Sequence, residues 1–196
     1  MLTIVVEGIS DEAIVRRLCL VANVAVGFVH IQRGKAQLDE RIAGYNAAAQ
    51  YAPWLVVRDL NSDAECAPEL RERLLPALAK YMHLRIPVRS IESWLLADRE
   101  GISKYLGISK TLVPRDTEAL ERPKRTLVNL ARRSRKRAIR EDMVPPEGIS
   151  AEVGPGYTAR IIEFSMFHWN PESAAIRADS LNRCLTVLIE MALTLK

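Results

Sequence analysis

An α/β protein, with a mainly parallel central sheet flanked by helices and a mostly helical C-terminal extension, is the fold class the sequence predicts. Three observations carry that prediction. Short apolar, β-branched runs alternate with segments of helical period through the first half of the chain, the order expected of a sheet with crossover helices. Two of those runs, Leu2-Thr3-Ile4-Val5-Val6 and Trp54-Leu55-Val56-Val57, are nearly continuous in apolar side chains, as strands buried on both faces are. After Asp98 the texture changes to short helical pieces broken by Gly101, Gly107 and Pro114.

Taken in order, Leu2 to Val6 is the first strand and ends on Glu7-Gly8. Ser10-Asp11-Glu12 then supplies an N-cap with acids in the first turn, where the helix dipole favours them. Ile14, Val15, Leu18, Cys19 and Ala22 follow at helical spacing. Val24 to Ile31 is a second strand, and Gln32-Arg33-Gly34-Lys35 leads into a helix marked by Leu38, Ile42 and Tyr45. After the strand at Trp54, Pro68 fits the first turn of a helix that carries Leu70, Leu74 and Leu78 on one face. Leu84 to Ser90 reads as a fourth strand, running into Ile91-Glu92-Ser93-Trp94-Leu95-Leu96-Ala97-Asp98. The spacing predicts a helix over Thr126 to Ala138, with Leu127, Leu130 and Ala131 buried. Gly154-Pro155-Gly156-Tyr157 is a constrained loop and Asn170-Pro171-Glu172 a helix start. Leu181, Leu185, Leu188, Ala192 and Leu195 form a closing amphipathic helix.

At 196 residues, with 48% hydrophobic and 27% charged side chains, the chain suits one ordinary globular α/β domain with a possible small subdomain. No run reaches the length that crosses a membrane, and the apolar start is only strand-sized with no basic stretch before it, so a cytoplasmic protein with no membrane partner is expected. Cys19, Cys66 and Cys184 lie far apart without a Cys-x-x-Cys pair, which argues against a zinc ribbon and a disulfide framework. His30, His83 and His168 form no ligand-spaced pair. The net charge of +4 is uneven: from Arg122 to Arg140 there are nine basic residues and no acid, which leaves 19 basic against 24 acidic side chains elsewhere. A local excess of that kind suits contact with a polyanion, although charge runs are usually solvated faces.

The stretch with the sharpest chemistry is Arg58-Asp59-Leu60-Asn61-Ser62-Asp63. If the backbone stays extended, Asp59, Asn61 and Asp63 share a face and converge as oxygen ligands for a hard cation such as Mg²⁺. The same residue types are ordinary turn and cap residues at a strand end. Glu7 ends the first strand, so it faces the same crevice if the two strands are neighbours. Glu92 is a further acid in an apolar segment, and such a charge is either paired, for instance with Arg89, or functional. Arg33 and Lys35 would emerge on the same edge, suited to phosphate or simply solvated.

Glu7-Gly8 after a first strand, followed by Asp59-x-Asn61-x-Asp63 after a later one, resembles the Toprim superfamily shared by topoisomerases, bacterial primases, recombination factors and OLD-type nucleases. Glu-Gly-x-x-Asp-Glu from Glu7 to Glu12, Ile91 to Asp98, and Gly154 to Tyr157 together look like one bacterial family of small, largely uncharacterised Toprim-like proteins. The resemblance implies a Toprim-like Rossmannoid core over residues 1–98 and a mostly helical extension over 99–196, packed on the core as one unit and containing the basic segment 122–140. It makes Glu7 the acid or base, and Asp59 and Asp63 the ligands of Mg²⁺ or Mn²⁺, with Asn61 and Glu92 assisting. Asn61 stands where the superfamily usually has a third aspartate, and gives up one negative charge.

The function expected from this resemblance is a metal-dependent nuclease or related phosphotransfer enzyme acting on nucleic acid. Arg33, Lys35, Lys124, Arg125, Arg132, Arg133, Arg135, Lys136 and Arg137 would hold the phosphate backbone. Topoisomerase and primase activities fit poorly, because the length leaves no room for their further domains and there is no zinc ribbon. The alternative is a catalytically weak Toprim-like module that binds a partner ATPase. The chain has no Gly-x-x-x-x-Gly-Lys-Ser/Thr loop of its own to drive such a step. A plain nucleotide-binding α/β protein fits less well, since Glu7 to Glu12 places acids where a dinucleotide's phosphates would sit.

Overall fold

The computed structural model describes residues 1 to 194 and divides them into two compact units, one formed by Met1–Val88 with the chain from Ser180 onward, the other by Arg89–Asp179. The break in texture that the sequence places after Asp98 thus falls ten residues earlier in the structure, and the closing helix counts with the sheet. Leu195 lies outside the described residues.

The first unit is a four-stranded, all-parallel sheet flanked by helices, with strand order β2-β1-β3-β4. Its elements are β1 (Leu2–Val6), α1 (Ile9–Val21), β2 (Val26–Ile31), α2 (Lys35–Ala48), β3 (Trp54–Val57), α3 (Ala67–Leu74), β4 (Met82–Arg85) and, at the end of the chain, α10 (Asp179–Thr194). β1 and β3 match the predicted strands. β4 begins two residues earlier and stops at Arg85, because Pro87 ends the ladder by offering only a carbonyl, to Leu60 N–H. α3 stops at Leu74, short of Leu78, where Pro76 cannot continue a helix. The N-cap of α1 is Gly8 rather than Ser10, and Asp11 Oδ2 accepts Gly8 N–H at 2.9 Å.

Alternation along the strands divides the core. Val5, Val56 and Leu84 stand in register across β1, β3 and β4 and meet Leu38 and Ile42 of α2 and Leu70 of α3 in one cluster. Each such side chain removed from water contributes about 1.5–3 kcal/mol. The other row, Ile4, Val6, Leu55 and Val57, is equally buried; α1 lies against β1 and β2, and His83 in the same register faces Val187 and Met191 of α10.

The second unit is helical: α4 (Glu92–Ala97), α5 (Arg99–Leu106), a 3₁₀ turn at Lys110–Leu112, α6 (Pro123–Arg132), α7 (Arg137–Met143), α8 (Tyr157–Phe167) and α9 (Pro171–Ala175). The single helix expected over Thr126 to Ala138 is two helices. Ser134 causes the break: its hydroxyl donates to the Leu106 carbonyl and accepts Lys136 N–H at 3.0 Å, which diverts the backbone from helical bonding. α9 starts as expected, with Asn170 Oδ1 accepting Ser173 N–H at 2.9 Å.

Candidate functional site

β1 and β3 are adjacent, and the chain leaves them in opposite directions: β2 lies beyond β1, β4 beyond β3. Their carboxyl ends therefore form the switch point at which open parallel sheets leave a crevice. Glu7 follows β1 and Arg58-Asp59 follows β3, so both reach this crevice. Glu7 Oε1 accepts Asp59 N–H at 2.8 Å, which ties the two strand ends together. Burial pushes the Glu7 carboxyl above the ordinary glutamate value, against the Asp59 hydrogen bond and the Arg58 charge, which pull it down.

Arg58 is the centre of the cluster. Its guanidinium is 2% exposed and forks onto Asp39 of α2, with Nε to Oδ1 and Nη2 to Oδ2 both at 2.9 Å. The same Nη2 donates to Asp63 Oδ2 at 2.7 Å, Nη1 donates to the Asp59 carbonyl, and Glu7 Oε1 lies 3.8 Å from Nε. Burial alone would lower the Arg58 pKa; the bonds to Asp39 and Asp63 more than reverse it, so the group stays a cation. Lys35 Nζ donates to the other Asp63 oxygen at 2.6 Å. Burial raises the Asp63 pKa, but its bonds from Lys35 and Arg58 outweigh that and hold it below the ordinary value.

The extended face expected of Asp59, Asn61 and Asp63 does not form. Asn61 has φ of +50°, and Asp63 N–H returns to the Leu60 carbonyl at 3.2 Å, so the chain turns between the two aspartates. Glu92 belongs to the second unit, where Ser90 Oγ donates to Oε2 at 2.6 Å, Tyr157 Oη donates to Oε1 at 3.1 Å, and Lys124 Nζ lies 3.6 Å away. Mg²⁺ asks for several oxygens at about 2.0–2.1 Å in near-octahedral array. Both Asp63 oxygens are engaged by cations, and among the described residues no three His, Cys, Asp or Glu side chains are grouped closely enough to hold a metal ion. As arranged, Asp59, Asn61 and Asp63 do not fit a shared Mg²⁺ or Mn²⁺.

Tyr157 joins two motifs that the sequence shows only as separate stretches. The Gly154-Pro155-Gly156 loop lies so close to the end of α7 that a Cβ on Gly154 would sit 2.5 Å from the Asp142 carbonyl oxygen and 2.6 Å from Val144 N. That approach sets Tyr157 at the first turn of α8, where it reaches Glu92. Asp98, at the end of the other motif, caps α5 through Gly101 N–H and accepts Asn170 N–H, both at 2.9 Å.

The basic segment sorts itself by partner. Lys124 faces Glu92, Arg137 pairs with Glu141 at 2.7 Å, and Lys136 caps the end of α5 by donating to the Tyr105 carbonyl at 2.7 Å. Arg132 bonds Asn129 at 3.1 Å. Arg122, Arg125, Arg133 and Arg135 are exposed and make no ion pair among the described residues. In the first unit Arg33 is exposed, whereas Lys35 is taken up by Asp63. At the amino-terminal edge of the sheet, Tyr51, Lys80, Tyr81, His83 and Glu190 line a separate groove of about 540 Å³.

Sequence reasoning missed Asp39 altogether and treated Arg58 as part of a strand end. The signal was available: an arginine closing an apolar strand has to find acids, because burying it alone is costly. The chain matches no family model, no curated protein and no solved structure.

Proposed function

We propose that the chain is a Toprim-like nucleic-acid-binding module of weak catalytic power that works with a partner ATPase. The observation that carries this reading is the set of exposed arginines at 122, 125, 133 and 135, which have no acid partner among the described residues and lie along one short helix and just beyond its two ends. Cations left unneutralised by the chain's own acids are what a phosphate backbone displaces counterions to reach. The weak catalytic power follows from the crevice, whose acids are engaged by Arg58 and Lys35. The partner ATPase is what the resemblance to OLD-type Toprim domains implies; with no phosphate-binding loop in the chain, any nucleotide-driven step would come from such a partner.

One observation favours the nuclease reading. Glu7 sits at the switch point with its carboxyl pushed upward by burial, the direction that suits a group which exchanges a proton during a reaction. Labelled single-stranded and duplex DNA and RNA, mixed with the purified chain in magnesium or manganese and followed by anisotropy and on denaturing gels, separate the two. Binding without cleavage, weakened by replacing Arg125, Arg133 and Arg135 with alanine, is the expected result. Cleavage that disappears in Glu7→Gln would establish the nuclease, and no binding to any of the four would overturn both.

A further inference from the structure

We propose that Arg58 is a tethered cation filling the place between Glu7, Asp39 and Asp63 that a divalent ion would otherwise take, so that this crevice balances its charge without metal. The inference deepens the binding-module reading, resting on it only in taking the crevice as a poor catalytic site. Its test contains no nucleic acid, so the two fail separately.

Three features of the guanidinium carry it. It is placed as a central ion would be, since Nη2 alone lies 2.9 Å from an Asp39 oxygen and 2.7 Å from an Asp63 oxygen, with Glu7 at 3.8 Å from Nε. It is built in: Arg58 directly follows β3, and its fork is matched by both oxygens of Asp39 one turn into α2. It is permanent, because a guanidinium does not give up its proton in a protein and is 2% exposed here. A metal ion entering the cluster would have to draw the same oxygens away from it and leave a buried cation without partners. An arginine is held by its backbone at no cost in ion concentration, whereas a divalent ion has to be recruited from solution.

Removing the guanidinium should invert the behaviour. In Arg58→Gln the Asp39 and Asp63 carboxylates face a space left without its cation, with Glu7 farther off, and an inward shift of about 0.6–0.8 Å takes the 2.7 and 2.9 Å oxygens to about the 2.1 Å of a small divalent ion. Thermal unfolding of the purified chain is compared in chelator and in millimolar Mn²⁺. The wild-type midpoint is expected to be the same in both. Arg58→Gln is expected to melt lower in chelator and to recover by about 5 °C or more when Mn²⁺ is in hundredfold excess over its dissociation constant. Adding Asp39→Asn to that variant should abolish the recovery. Calorimetry keeps the test open if the variant is too unstable: wild type should take up no Mn²⁺ that Asp39→Asn or Asp63→Asn loses. Manganese binding by wild type that either substitution removes overturns the proposal. So does an Arg58→Gln protein that gains nothing from Mn²⁺, whether folded or unfolded in chelator.

Discussion

Replacing Tyr157 with phenylalanine removes one oxygen from the second unit and tests how its two motifs are joined. The hydroxyl donates to Glu92 Oε1 at 3.1 Å, and both residues are 5% exposed, so water does not readily take the lost place. Hydrogen bonds to charged groups contribute about 1.5–3 kcal/mol. This one is longer than the 2.5–2.7 Å usual for a hydroxyl on a carboxylate, and Glu92 keeps Ser90 at 2.6 Å and Lys124 at 3.6 Å. The expected cost is therefore near the lower end, about 1.5 kcal/mol. Urea unfolding followed by tryptophan fluorescence measures it, since Trp94 and Trp169 are both buried in this unit. A cycle with Glu92→Gln should return a coupling of about 1 kcal/mol between the two sites. A neutral Tyr157→Phe with no coupling to Glu92 would refute the claim that this bond holds the loop to α4.

Gly154→Ala places a methyl 2.5 Å from the Asp142 carbonyl oxygen and should cost about 1–3 kcal/mol, while Gly44→Ala, mid-helix in α2 with nothing within 4 Å, should gain about 0.5–1 kcal/mol; urea midpoints of the two variants compare them. Asp63 titrates below the ordinary aspartate value of 3.8, so its stabilising share is present above that pH and lost as pH falls through the lower folded value. Asp63→Asn should accordingly flatten the loss of stability below pH 3.8, measured as urea midpoint against pH. Asn46 accepts Ala79 N–H and donates to the Ala77 carbonyl, both at 2.9 Å, so Asn46→Ala should cost about 1–2 kcal/mol in chemical denaturation.

The strands of the sheet were legible because apolar runs of four to six residues with helices between them leave few other arrangements. That Glu7 and Asp59 meet follows from the same order, once β1 and β3 are neighbours. The arrangement of the crevice was not legible. Whether Asp59, Asn61 and Asp63 share a face depends on one backbone angle at Asn61, and asparagine tolerates either hand. Asp39 was hidden because an acid one turn into an amphipathic helix reads as solvent-facing until the partner across the crevice is known. In the basic segment, composition marked the charge but not its partners: Lys124, Lys136 and Arg137 are spoken for by Glu92, a helix end and Glu141, which only the tertiary arrangement shows. Ser134 broke a helix that its neighbours' spacing supports, since its hydroxyl found a carbonyl 28 residues away in sequence.

The most direct test of nucleic-acid binding is the salt dependence of the dissociation constant for a labelled duplex. If the arginines at 122, 125, 133 and 135 each meet a phosphate, the logarithm of the association constant, its reciprocal, falls against log salt with a slope of about −3 to −4, and the triple alanine variant at 125, 133 and 135 makes it shallower by about 2 to 3. An affinity that ignores salt, or a slope that the variant leaves unchanged, would contradict the account.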